Sequence, residues 1–185
     1  HWNSDYMKDI RLKLLAGEEI PQCAVCNDNL LSQSNYRQWF TGFLFTDKID
    51  ECFEKTDETG YTTMEPISFD YRVSNLCNYK CRMCGEQLSS SWETEKRQND
   101  HWTPESQPFM IPENKEIIQK FQKDVVEEEF WDSICRGIVE EIYWVGGEPL
   151  MYDIHWRAMH RLADDDNLKH VHLRYNSNLS RVRYG

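Results

Sequence analysis

The sequence predicts an α/β fold built on a parallel sheet, and two observations carry that expectation. From residue 67 onward, strand-like segments alternate with helix-like ones, an order that right-handed crossovers turn into a parallel sheet. Each strand-like segment runs into a turn rich in chemistry-bearing residues: a cysteine loop, then Gly146-Gly147-Glu148-Pro149, then Asn176-Ser177-Asn178. In parallel sheets ligands sit at the carboxyl ends of the strands, so the three turns are expected to converge on one rim. The 185 residues allow one domain, or a small domain with an extension.

Taken in order, the elements follow from local pattern. Ser4 can cap a first helix ending at Gly17, with Ile10, Leu12, Leu14 and Leu15 as its apolar surface. Pro21 follows, then the pair Cys23 and Cys26. Residues 36–54 carry Tyr36, Trp39, Phe40, Phe43, Phe45 and Phe53, aromatics expected to pack as core. Asp57 to Gly60 reads as a polar turn. Ile67, Phe69, Tyr71 and Val73 alternate with Ser68, Asp70, Arg72 and Ser74, which predicts a strand. A loop from Asn75 to Gly85 holds three cysteines, and a helix is expected from the serines at 89–91. Pro104, Pro108 and Pro112 mark 99–114 as loop or insertion. Ile117, Ile118, Phe121, Val125, Phe130, Ile134 and Ile138 then recur at helical spacing. Glu141 to Val145 is a second strand, and Leu150, Ile154, Ala158 and Leu162 mark one face of the helix after it. His170 to Tyr175 is a third. No internal repeat or low-complexity tract interrupts this order. The domain organisation expected is an extension over 1–66, containing the C-x2-C pair, and an α/β part over 67–185.

Composition excludes several function classes. Lys and Arg number 21 against 32 Asp and Glu, a net charge of −11, so the bulk attraction that drives general nucleic-acid binding is missing. With 39% apolar residues and a mean hydropathy of −0.76, no window approaches the roughly 20 apolar residues of a membrane span. The polar, charged start shows no secretory signal, which gives a cytoplasmic expectation. A first residue of His rather than Met reads as a fragment or a processed product.

Seven cysteines are the informative excess: Cys23, Cys26, Cys52, Cys77, Cys81, Cys84 and Cys135. An odd number without a signal peptide argues for metal-binding or catalytic thiols over a disulfide framework. Cys77, Cys81 and Cys84 have the spacing C-x3-C-x2-C, which chance would produce with an expectation on the order of 0.01. Three thiolates on one loop suit three corners of a cubane iron–sulfur cluster and leave the fourth iron open. The alternative is a zinc site completed by Cys23 and Cys26. Lys80 and Arg82 flank the thiolates, as charge compensation or as ordinary exposed loop cations. Cys52 and Cys135 stand alone and are expected to behave as small buried hydrophobes. The six histidines show no zinc spacing and receive no role.

These motifs together resemble those of the radical S-adenosylmethionine (SAM) superfamily. Cys77 to Cys84 resembles its cluster motif, Gly146 to Pro149 its Gly-Gly-Glu-Pro turn, and Tyr175-Asn176-Ser177-Asn178 its Thr-Asn-Gly-type turn, from which Ser177 and Asn178 depart. Leu76 to Gly85 is similar to the subgroup carrying a C-terminal SPASM or twitch extension, and Arg11 to Cys26 is similar to the N-terminal region of twitch-type members. The resemblance implies a 4Fe–4S cluster on Cys77, Cys81 and Cys84, with SAM chelating the open iron and cleaved by one electron to a 5′-deoxyadenosyl radical that abstracts hydrogen from a substrate. It implies that Met83 lies where adenine meets the loop and that Gly146 and Gly147 permit close backbone approach. It also implies that Glu148 meets the amino group of SAM, that Pro149 fixes the exit into the next helix, and that Asn176 bonds the ribose or the substrate. Implied partners are an unidentified substrate, a peptide by analogy, and a one-electron donor such as a flavodoxin or ferredoxin. The implied fold is the first half of a radical SAM partial (β/α) barrel with a mainly helical N-terminal extension. Cys23 and Cys26 would then be a partial metal site or structural; the rival readings are a zinc-binding interaction module and a non-catalytic relative that binds a cluster without SAM. A half barrel is expected to hold a cluster weakly at best and not to turn over substrate.

Overall fold

The computed structural model describes residues 2–24, 39–72 and 74–182, in two compact units, His1–Glu65 and Pro66–Gly185. In the first, helix α1 (Asp5–Leu15) starts where Ser4, in extended backbone, accepts the Met7 N–H. Asp5 in its first turn and Lys13 in its last suit the helix dipole. A second helix, α2, spans Lys48–Glu54. The turn after it is held by the Asp57 carboxylate, which accepts the Thr59 hydroxyl and the N–H groups of Thr59 and Tyr61. These bonds, the Thr59 hydroxyl first, keep Asp57 below the usual carboxylate range. Gly60 sits at φ +76°, and a Cβ there would stand 2.5 Å from the Lys8 carbonyl oxygen. Only glycine lets α1 pack this closely on the turn.

The aromatics expected to form a core here do not. Trp39, Phe43 and Phe53 are exposed, and Phe40 and Phe45 stack on each other half-buried. The stretch folds as a five-residue π-turn (Phe40–Leu44) and the short α2, neither with a buried residue. The rings pair with one another instead, Trp39 with Phe43 at 4.7 Å between centroids and Phe40 with Phe45 at 5.8 Å. Tyr36 and Cys26 lie outside the described residues.

The second unit is built on three parallel strands, β1 (Ser68–Tyr71), β2 (Glu141–Trp144) and β3 (His172–Tyr175), in the order β1-β2-β3. Tyr71, Trp144 and Tyr175 are level across the sheet. The mixed helix-and-parallel-strand architecture expected from the sequence is present. Strand alternation sends Phe69, Tyr71, Ile142 and Trp144 into one core with residues of two helices, α5 (Glu127–Cys135) and α6 (Asp153–Asp164). Phe130 packs on Tyr71 and Trp144, with ring centroids 4.3 and 5.6 Å away, a geometry in which aromatic pairs add to simple burial. The fully buried Glu141 accepts the Ser68 hydroxyl and pairs with Arg174, joining all three strands.

Helix α3 (Ser90–Gln98) begins at a Ser89 cap. The helical spacing of 117–138 belongs to a longer object: α4 (Pro112–Phe121), a π-turn over Gln122–Val126, then α5. Pro112 therefore opens a helix instead of ending a loop, since its missing N–H costs nothing in the first turn. The wider π-turn resets the buried face, which leaves Ile117 67% exposed, with Ile118 and Phe121 also in solvent, while Phe130 and Ile134 are buried. Ile138 lies past the helix end, where Gly137 at φ +70° lets the Ile138 N–H close back on the Ser133 carbonyl. Cys52 and Cys135, expected to be buried, are both exposed, each near the end of its helix. Among the described residues no helix is long and apolar enough to cross a membrane.

Candidate metal and cofactor site

The cysteine loop leaves the carboxyl end of β1 and is bolted to the start of α3. The Asn75 carbonyl accepts the Ser90 N–H at 2.6 Å. The Asn75 side-chain amide donates to the Glu86 carbonyl at 2.8 Å and to the Glu93 carboxylate at 2.6 Å. The Cys77 N–H donates to the Ser90 hydroxyl at 3.0 Å, and its carbonyl accepts from the Ser90 and Ser91 hydroxyls at 3.1 and 2.9 Å. Ser89 donates to the Tyr79 carbonyl at 2.6 Å, and the Trp92 indole donates to the Cys81 carbonyl at 3.0 Å. Glu93, 4% exposed, also takes Lys115 and Arg97. Burial alone would raise its carboxyl, but the bonds from Lys115, Asn75 and Arg97 outweigh that and hold it below the usual carboxylate range. Sequence reasoning assigned neither the serines nor Asn75, Trp92, Glu93, Arg97 or Lys115 to the site. The signal was present: a helix needs one N-cap, and this one opens on the serines 89–91, a few residues after the cysteine motif.

Beyond this stem the loop opens. Cys77 and Cys84 are half-buried and Cys81 is exposed. Burial pushes the Cys84 thiol up, and the neighbouring Cys81 and Cys77 push it further, so the thiols lie within each other's field. They do not meet at one point: among the described residues no three His, Cys, Asp or Glu side chains close around a position for a single metal ion. Lys80 pairs with Glu95 and stands over the Trp92 ring. Met83 is 92% exposed and packs on nothing.

The second turn fits beneath the first. A Cβ on Gly147 would stand 2.2 Å from the Leu76 carbonyl oxygen and 2.8 Å from the Asn75 carbonyl carbon. Gly146 sits at φ +114° with Ser74 and Arg72 backbone close by. The glycines thus allow close backbone approach, and what approaches here is the stem of the cysteine loop. The Gly147 N–H donates to the Ser74 carbonyl and the Glu148 N–H to the Leu76 carbonyl, at 3.1 and 2.7 Å. Tyr152 ties the same point, its hydroxyl accepting the Gly147 N–H and donating to the Ser74 carbonyl. Burial pushes that phenol up to about 12, so it keeps its proton. Pro149 is buried and opens a short 3-10 turn into α6.

Glu148 joins the second turn to the third. It is 1% exposed, and one carboxylate oxygen accepts the Leu150 N–H and the Ser177 hydroxyl at 3.1 and 2.7 Å. The other accepts the Asn178 N–H at 2.7 Å. Its acceptors are therefore turned toward the Asn-Ser-Asn turn. Asn176 extends the sheet by donating its N–H to the Trp144 carbonyl, while its side chain is exposed. Asn178 reaches back to the cysteine loop, with its amide nitrogen 3.7 Å from the Cys77 sulfur and 3.2 Å from the Asn78 side-chain oxygen. The three turns expected on one rim are thus in mutual contact.

Under the rim, His155 is buried with one ring nitrogen 3.0 Å from the Tyr175 hydroxyl. Burial lowers its pKa to about 4 and keeps it neutral, a structural part for a histidine that spacing left without a role. A cavity of about 220 Å3 opens beside Gly146, lined by Ser74, Asn75, Gln87, Phe109, Lys115 and Gln122 among others. Cys23 ends a 3-10 turn in the first unit, and Cys26 is outside the described residues. No family model matches the chain, and no curated protein or solved structure matches it either.

Proposed function

We propose that the unit from Pro66 onward is the SAM-cleaving part of a radical SAM enzyme, the first half of a partial barrel. One observation carries the reading. The C-x3-C-x2-C loop, the Gly-Gly-Glu-Pro turn and the Asn-Ser-Asn turn, each after a parallel strand, are hydrogen-bonded to one another through Glu148 and Asn178. The donor set fits the cluster. Cys77, Cys81 and Cys84 supply thiolates, the preferred ligands of iron–sulfur clusters. Three thiolates on one loop are one short of the four protein ligands that close a structural zinc site, and match three corners of a cubane. A 4Fe–4S cluster with bound SAM would supply reductive cleavage to the adenosyl radical; the protein's part is orientation and exclusion of side reactions.

In this reading the α3 serines and Glu93 fix the loop backbone at Asn75, Cys77 and Tyr79, and the Trp92 indole holds the Cys81 carbonyl. Exposed Met83 and Asn176 offer the adenosyl group an apolar contact and a polar one. The backbone of Gly146 and Gly147 keeps the second turn under the loop, and Glu148 locks the third turn beside it. The cavity beside Gly146 is the place for a substrate group, a peptide by analogy, and a flavodoxin or ferredoxin would deliver the electron.

Anaerobic reconstitution tests this directly. Given excess iron and sulfide, which drive even weak uptake, the chain should approach about four irons and turn brown, and Cys77→Ala, Cys81→Ala or Cys84→Ala should lose most of that iron. A colourless, zinc-only protein, or full iron in Cys81→Ala, would refute the proposal.

A further inference from the structure

We infer that Asn178 donates an amide hydrogen bond to the Cys77 sulfur and by it raises the reduction potential of the cluster on that loop, an inference that rests on the reading above. The Asn178 amide is oriented by its neighbours. Its oxygen accepts the Ser180 N–H at 2.9 Å, so the nitrogen is the end that faces Cys77. Its two amide protons have two acceptors, the Asn78 side-chain oxygen at 3.2 Å and the Cys77 sulfur at 3.7 Å. The backbone is pinned as well. Glu148 accepts the Asn178 N–H, and Leu179 next to it sits at φ +56°, a left-handed conformation costly for leucine. Cys77 also receives the Tyr79 N–H at 3.4 Å. Among the described residues no side-chain amide reaches the sulfur of Cys81 or Cys84, so the effect is confined to one corner.

The physical basis is electrostatic. Donors aimed at a ligand sulfur stabilise the more negative, reduced cluster and raise its potential. The step is a one-electron reduction by an external donor, with no bond made or broken and no proton moved. Asn178 is therefore a tuning and positioning residue with no part as a ligand.

The test is a dithionite titration of the reconstituted chain, with the reduced cluster followed by electron paramagnetic resonance. Asn178→Leu should keep its iron yet shift the reduction equilibrium about threefold toward the oxidised form, roughly 30 mV at about 59 mV per tenfold for one electron. Asn178→Asp, of the same shape but without the donor and with added negative charge, should shift it further, and Asn178→Gln should recover part of the loss. Wild-type potentials in both the Leu and Asp variants, with iron intact, would overturn the inference and leave the cluster reading standing. Loss of iron in both would overturn it too, because the residue would then serve only to hold the loop. A wild-type chain that takes up no iron would overturn both.

Discussion

Asn75, Leu76 and Cys77, the stem of the cysteine loop, are bonded on two sides, by the α3 serines and Glu93 and by the Gly147–Glu148 turn. Lys80, Arg82 and Met83, only a few residues on, stand in solvent. One short loop thus joins a stem whose backbone is bonded on two sides to a tip with its side chains in solvent. Helix α3 ties that tip at the Tyr79 and Cys81 carbonyls and at Lys80. The difference teaches where precision is spent. A site that must place thiolates accurately fixes their backbone from behind and leaves free the surface that meets a ligand.

The largest break of this contrast should come from Gly147→Val. The new side chain would drive into Leu76 and Asn75 backbone, which cannot give way as a flexible side chain can. We expect a loss of about 3 kcal/mol or more in urea unfolding, together with lower iron uptake, because the stem itself would move. Unchanged stability would show that the two turns do not touch.

Glu93→Gln comes next. The substitution keeps the shape of a buried carboxylate but strips the charge facing Lys115 and Arg97, both part-exposed. Because solvent screens those partners, the expected cost is roughly 2 kcal/mol, below that of a fully buried pair. The pH dependence follows with a definite sign. Glu93 is depressed from the ordinary 4.5, so its contribution is complete above about pH 4.5 and is lost as pH falls through the lower folded-state value. Wild type and Glu93→Gln should therefore converge in stability on acidification. A gap that stays constant to low pH would remove Glu93 from the stem.

Much of this contrast was legible in the sequence where the cause is local. The Ser4 cap, the alternation of β1 and the three turns after three strands are set by neighbours a few residues away, and they stand where pattern placed them. What pattern could not give depends on distant partners. Nothing near Glu148 in sequence announces that its carboxylate meets Ser177 and Asn178, and the π-turn at Gln122–Val126 rotates a correct helical periodicity away from the core. The aromatics of 39–54 failed for a related reason. Hydrophobicity predicts burial only when an element supplies a face to bury, and the π-turn and α2 do not.

Ser90→Ala sharpens the stem at a smaller scale. It deletes the hydroxyl that accepts the Cys77 N–H and donates to the Cys77 carbonyl, although Ser91 still reaches that carbonyl. About 1 kcal/mol should be lost, and hydrogen exchange at the Cys77 amide should speed up while exchange at Ile142 in β2 stays slow.

The smallest effect belongs to the tip. Lys80→Ala removes a part-exposed ion pair with Glu95 and a distant contact with Trp92, and Met83→Ser removes a side chain that packs on nothing. Exposed ion pairs and bare surface positions contribute little, so each variant should unfold within about 0.5 kcal/mol of wild type. That neutrality makes the pair diagnostic. If the tip exists to meet a ligand, Met83→Ser should weaken SAM binding by the reconstituted chain, measured by equilibrium dialysis, with stability and iron content unchanged. A Met83→Ser chain that lost stability would show instead that the tip packs in solution, and the contrast between stem and tip would fail.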